Sequence, residues 1–390
     1  MATDLERFVD APGRDEKIKE VREMIDRLGI EYLYLQFVSV TGKIMGKGIP
    51  SDHWESIAKK GFQLVYGATV NLFTDRAGNY LGYGPEAAEL IGIPEPETFM
   101  QLPWAPTIGR FYCTLFRNRE EKENPGGYLT SDSRGNLRRM HDEFKAKHGR
   151  SLRIGTEPEM MWLKFDENGK PKDGYSKPYC YHIDQFESLR PVSMQVIKYA
   201  RMMGLDMIQG DHEDAPGQLE LNWMFDDVLR NADRLTTYRQ ICAQVARENG
   251  KPRDGYSKPY CYHIDQFESL RPVSMQVIRY ARKMGLDMIQ GDHEDAPGQL
   301  ELNWMFDDVL RNADRLTTYR QICAQVAREN GIFACFMTKP FMGVSASGCH
   351  HNMSLWSGGE DEFVPTGNDP GDLPGMKENY MYVKGGDNTF

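Results

Sequence analysis

The chain has 390 residues, 40% of them hydrophobic and 27% charged, with a formal net charge of −10. That is an ordinary globular balance, long enough for one large or two ordinary cores, and without a run of about 18 apolar residues it holds no membrane-spanning helix. The negative charge argues against nucleic-acid binding of the simple electrostatic kind. It also requires metal ions or local arginines wherever phosphate is handled.

The polar start MATDLERFVDAPG does not read as a secretory signal. None of the seven cysteines forms a C-x-x-C pair, so free thiols in a reducing cytoplasm are expected rather than a structural zinc site.

Residues 15–28 place Ile18, Val21, Met24, Ile25 and Leu28 on one helical face. The aromatic and β-branched run at 31–39 predicts a strand, with TGK at 41–43 as a turn and 44–49 pairing back. GNY at 78–80 reads as a turn and RFYCTLF at 110–116 as a strand. EEKENPGG at 120–127 is a plausible boundary, giving an N-terminal domain of residues 1–121 and a second domain of 122–390. A helix is expected near 134–148, carrying Leu137, Met140 and Phe144 and stopped by Gly149. A strand follows at 152–164, then a helix opened by Pro191, a strand from Met207, and a long helix capped by Asp226 or Asp227. Residues 332–337 read as a further strand.

Residues 167–247 and 248–328 align without gaps over 81 positions and differ only at Lys172/Arg253, Lys198/Arg279 and Met202/Lys283. Solenoids use several diverged units with atypical caps. Two nearly identical copies read instead as a recent duplication or an assembly error in the gene sequence.

Three segments carry chemistry. In GTEPE at 155–159, Glu157 and Glu159 share one face if the segment is a strand. In DHEDAPGQLE at 211–220, repeated at 292–301, Pro216-Gly217 signals a type II turn. It folds a hairpin with Glu213 before the turn and Glu220 after it, Leu219 and Leu221 facing away from Glu220. In SASGCHHNMSLW at 345–356, the adjacent His350 and His351 point to opposite faces of a strand. Each segment alone is ordinary: a solvated strand face, a polar turn, a structural histidine. Together they offer several carboxylates and one imidazole, a hard donor set that selects Mg²⁺ or Mn²⁺ and suits phosphoryl transfer. The glycine-lysine pairs at 42–43 and 46–47 lack P-loop spacing, and Pro216 stands where H-E-x-x-H needs its second histidine. Without a C-x-x-C partner His212-Glu213 is no zinc deaminase motif either.

With GTEPEMMWL, DHEDAPGQLEL and FMTKPFMGVSASGCHHNMSLW in this order, the sequence resembles the glutamine synthetase family from about residue 30 to about 358. The resemblance implies an α+β fold: an N-terminal β-grasp domain, then a catalytic domain on a curved antiparallel sheet with helices. It implies Glu159, Glu213 and Glu220 at the first metal, with Glu294 and Glu301 as their duplicates, and Glu157 and His350 at the second. Asn352 and Ser354 fall at nucleotide-contacting positions, and Ser345 and Ala346 at the substrate glutamate. The implied reaction uses ATP to phosphorylate the γ-carboxylate of glutamate, after which ammonia or a small amine displaces phosphate. Homo-oligomeric rings, six-membered or stacked, are implied too, with no nucleic-acid or membrane partner.

Tyr66-Gly67-Ala68-Thr69 stands where the family usually carries D-G-S-S, and Ser345-Ala346 replaces Asn-Gly. Both departures bring a γ-glutamyl-methylamide or polyamine ligase into competition with an ammonia-using one. Nothing after residue 358 matches the family's C-terminal part, so a rearranged member that binds metal or assembles without turnover is the alternative.

Only one hairpin fits the catalytic sheet. The segment DENGKPKDGYSKP leading into the repeat absorbs an insertion at small entropic cost, whereas Glu329-Asn330-Gly331 alone joins the last helix to the strand expected at 332. Glu294 and Glu301 are therefore expected in the site, with Glu213 and Glu220 displaced.

Overall fold

The computed structural model describes residues 2–70, 89–165, 171–174, 176–177, 179–249, 261–337 and 347, and short strands between 351 and 383. The chain divides into compact units at residues 316 and 317. The turn expected at 78–80 lies outside the described residues.

The first helices are α1 (Asp4–Val9) and α2 (Arg14–Leu28). Ile18, Val21 and Ile25 of α2 are buried as their spacing predicts, and left-handed Gly29 ends the helix by donating to the Ile25 carbonyl. Strands β1 (Tyr32–Val38) and β2 (Ile44–Pro50) form the expected antiparallel hairpin. Next come α3 (Trp54–Lys60), β3 (Phe62–Leu64), α4 (Tyr66–Val70), β4 (Leu90–Pro94), β5 (Met100–Leu102) and β6 (Ala105–Phe116). β1 pairs with β6 in parallel, and the other contacts among these strands are antiparallel. Trp54 stacks flat on Phe111 at 4.2 Å between ring centres and donates from its indole to the Ile18 carbonyl at 3.0 Å. Burying such a ring contributes several kcal/mol, so it fixes α2 and α3 on the sheet (about 1.5–3 kcal/mol for each large side chain).

Helix α5 (Ser133–His148) is capped by the Asp132 carboxylate at the Gly135 amide and by left-handed Gly149. Its buried face is polar: Arg134, Gly135 and His141 face inward, while Met140 and Phe144 are exposed. That reverses the apolar face read from the sequence, because a buried acid selects the arginine. Arg134 grips fully buried Glu95 and, through Nε and Nη2, both oxygens of Asp233 at 2.7 and 2.8 Å. Arg138 also pairs with Glu95.

The strand expected at 152–164 is broken into β7 (Arg153–Ile154), β8 (Glu159–Met161) and β9 (Leu163–Phe165), the last paired with β10 (Pro171–Gly174). The first copy continues with α6 (Ile183–Ser188), α7 (Arg190–Met202), β11 (Met207–His212), β12 (Gln218–Trp223), β13 (Asp226–Asp227) and α8 (Val228–Asn249). Asp227 accepts from the Leu229 amide at 3.0 Å, the cap foreseen for α8. The second copy repeats the plan in α9 (Ile264–Ser269), α10 (Arg271–Lys283), β14 (Met288–His293), β15 (Leu300–Trp304) and α11 (Val309–Glu329).

The hairpins have different partners. In the first copy β12 pairs with β8, leaving β11 as the outer strand. In the second, β14 pairs with β2, so one sheet runs β15-β14-β2-β1-β6-β4-β3, with β5 also on β6. The mixed helices and largely antiparallel sheets bear out the α+β class.

The second unit has strands β16 (His351–Met353) and β19 (Met381–Val383) as one pair, and β17 (Trp356–Ser357) and β18 (Glu360–Asp361) as another. Residues 332–337 are not a strand, and Phe333 is 86% exposed.

Burial alone would raise the Glu95 carboxyl. The two guanidiniums outweigh it and hold the group at about 2, below its ordinary 4.5. The Glu95→Ala variant leaves both arginines without that partner, so urea denaturation should show a loss of about 3–5 kcal/mol. In the wild type this contribution is full above pH 4.5 and should fade as pH drops toward 2.

Candidate active site

The turn at residues 215–218 closes the first hairpin, with Gln218 donating to the Ala215 carbonyl at 3.1 Å. Gly217, at φ +74°, supplies the left-handed third position that a type II turn demands. Asp211 then lies opposite Glu220 on β12, and Glu220 opposite Glu159 on β8. Directly paired residues project from the same face, so three carboxylates form a row across three strands. Leu219 and Leu221 are buried on the other face.

Like charges opposite one another destabilise a sheet unless a proton or a cation intervenes. Burial and then the neighbouring Glu220 raise the Asp211 carboxyl, and burial and then Asp211 raise that of Glu213. Gln218 donates its amide to Glu159, and Asn222 donates to Glu220 at 2.8 Å. His212 is fully buried and shares a hydrogen bond with the Ser176 hydroxyl. Sequence reasoning missed Asp211 and Gln218. The signal was available, since Asp211 stands two residues before Glu213, on the same strand face.

Glu157 is exposed in the irregular segment between β7 and β8, so the strand face foreseen for Glu157 and Glu159 does not form. Glu157 still lies near enough to Asp211 to help raise its carboxyl. Among the described residues no three histidine, cysteine, aspartate or glutamate side chains converge at metal-binding distance.

Glu294 and Glu301 are not beside Glu159, contrary to the expectation. Asp292 lies opposite Glu301 in the second hairpin, and both lie near Lys47 of β2, whose ammonium is 4.0 Å from Asp292. The expected link from α11 leads into no strand at 332–337. Without that strand, the short link after α11 holds nothing in register. The first copy follows β8 through the β9–β10 hairpin and takes the nearer edge.

His350, Ser345, Ala346 and Ser354 lie outside the described residues. The Asn352 backbone pairs with Tyr382 in the second unit.

The family described as "Glutamine synthetase, catalytic domain" matches residues 130–261 and again 252–381. The chain belongs to that family, and the double match is the duplication seen from outside. A glutamate–methylamine ligase from Methyloversatilis universalis is 27% identical over 246 residues, which cover 62% of this chain and 52% of that protein. A glutamine synthetase from Staphylococcus aureus is 22% identical over 378 residues, covering 96% of this chain and 62% of that one. The chain thus spans between half and two thirds of the length of these relatives. A solved structure described as a GmaS/ADP complex superimposes with a TM-score of 0.51 at 20% identity, covering 88% of this chain and 58% of that one. It shares the fold.

The second copy's cluster has its own pH signature. Burial and the neighbouring Glu301, opposed by Lys47, raise Glu294 from 4.5 to about 7. The folded chain therefore keeps a proton that the unfolded chain releases, and this stabilisation is lost as pH rises from 4.5 through 7. Thermal unfolding between about pH 5 and about pH 8 should show a falling midpoint that Glu294→Gln flattens.

Proposed function

We propose that this chain is an ATP-dependent ligase that joins the γ-carboxylate of glutamate to ammonia or a small amine through γ-glutamyl phosphate. The observation that carries the reading is the carboxylate row Asp211–Glu220–Glu159 with Glu213 beside it. Crowded hard oxygens with raised proton affinity suit Mg²⁺ or Mn²⁺. Glu159, Glu213 and Glu220 of the first copy would hold one ion, and Glu157 with His350 the other. Bound there, the ions would offset the charge of the transferring phosphoryl group. Gln218 would fix the Glu159 carboxylate, and buried His212 would hold the strand beneath Glu213. Asn352 and Ser354 would contact the nucleotide, and Ser345 and Ala346 the glutamate. Residues 1–121 would form the N-terminal domain and 122–390 the catalytic domain, in a homo-oligomer located in the cytoplasm.

Two features favour a small alkylamine as acceptor. The segment Tyr66-Gly67-Ala68-Thr69, where the family resemblance places an acid, carries none. One of the relatives is a glutamate–methylamine ligase.

Calorimetry with Mn²⁺ should give a binding heat that Glu159→Ala and Glu220→Gln weaken by about tenfold or more, while Glu301→Gln leaves it intact. Glutamate-dependent phosphate release from ATP with methylamine should follow the same pattern. Equal losses from Glu220→Gln and Glu301→Gln would refute the assignment to the first copy. Manganese heat without turnover would leave a metal-binding member that is not a catalyst.

A further inference from the structure

The duplication builds a cavity that a single copy could not. Its volume is about 280 Å³, near the lower end for small-molecule sites, roughly 300 Å³. Copy one contributes the middle of α8, the end of β8 comes from just before the repeat, and the turn at 42–44 forms a third side. The fourth side, His263 and Asp265 at the start of α9, belongs to copy two. Glu159, Glu213 and Glu220 do not line the cavity, so it is separate from the candidate metal site.

Much of the wall is apolar, with Ile44, Met160, Met161 and Ala243 among its residues. Two polar groups of lining residues are unspent. The Trp162 indole N–H and the Gln240 side-chain carbonyl have no hydrogen-bond partner among the described residues. Trp162 is only 6% exposed and Gln240 only 2%. Buried polar groups without partners are rare in folded chains, and each calls for a reason. The repeat supplies a comparison: Gln321, the same residue in α11, is exposed.

Charge adds a further requirement. Lys43 and Arg239 stand in the wall, with Arg239 donating from Nη1 to the Gly42 carbonyl at 3.1 Å. Asp265 is the wall's one carboxylate among the described residues, and it already faces Arg247 at 3.8 Å. Burial, against the pull of Asp265, lowers the His263 imidazole below its ordinary 6.5, so that ring adds no charge near neutral pH. Apolar surface thus lies beside an excess of cations.

We propose that this cavity binds an aromatic monocarboxylate that also carries a hydroxyl group. The carboxylate meets Lys43 and Arg239. The ring packs against Met160 and Met161, whose thioethers favour aromatic edges. The hydroxyl accepts from the Trp162 indole and donates to the Gln240 carbonyl, which gives both groups the partner they lack. Because its wall is shared, the bound ligand bridges copy one, copy two and the N-terminal turn, and it stabilises that junction by mass action.

Calorimetry on the full chain, with para-hydroxyphenylacetate as the probe, tests this. A single saturable site is expected, with a thermal midpoint that rises as the probe is added. Phenylacetate, which lacks the hydroxyl, should bind about fivefold more weakly. Tyramine, with a cation in place of the carboxylate, should give no saturable heat. Arg239→Met should weaken the probe by about tenfold or more, whereas Arg320→Met, the same change in the other copy, should leave it intact. Gln240→Leu should bring para-hydroxyphenylacetate down to the affinity of phenylacetate. The proposal is overturned by an absence of saturable heat on the wild-type chain, by phenylacetate or tyramine binding as tightly as the probe, or by equal losses from Arg239→Met and Arg320→Met.

Discussion

An unpaired sheet edge is the constraint around which this chain is arranged. β2 is central to the N-terminal core on one side and would be open on the other, presenting amides and carbonyls in need of partners. The second hairpin closes that edge. The β8 edge is taken by the first copy's β12, so the carboxylates of the candidate site come from the first copy. The choice of edge thus decides which glutamates meet Glu159, which aromatic residues are buried and which helix faces water.

The electrostatics follow from that arrangement. Asp211 and Asp292 are the same residue in sequence, each opposite its own glutamate. One stands in an open row of acids. The other is sealed on β14, inside the sheet that β2 belongs to, with Lys47 beside it, and its carboxyl is pushed far up by burial. A buried acid cluster facing one ammonium holds protons, whereas an open acid row has room for a metal ion. Elsewhere Glu95 is matched by two arginines and stays ionised in full burial. The ratio of cations to carboxylates separates structural tie from candidate site.

Much of this was legible in the sequence, for reasons that differ by element. Helix α2 and the β1–β2 hairpin follow from local periodicity, and the 215–218 turn from Pro216-Gly217. The row joining Glu159 to Glu220 was foreshadowed by composition and by resemblance to a family. The inward face of α5 was not legible: its apolar residues misled because the real anchor, Arg134 on Glu95, spans 39 residues. Nor was the choice between copies, since identical sequences carry no local signal of their destination. That choice rests on what lies next to each copy along the chain: β8 just before the first, and no strand at 332–337 after the second.

The same near-identity bears on how the chain is made. Ribosomes add about 5–20 residues per second, so the 81-residue offset gives copy one a lead of about 4–16 s. During that interval β8 and β2 have both emerged, and a single hairpin is present to choose between them. A pairing with β8 closes a loop of about 60 residues, from Glu159 to Glu220, while one with β2 spans well over a hundred, and shorter closures are faster. Vectorial synthesis thus favours copy one on β8 before its twin exists, with β2 left to copy two. Refolding from denaturant, where both arrive at once, removes that ordering.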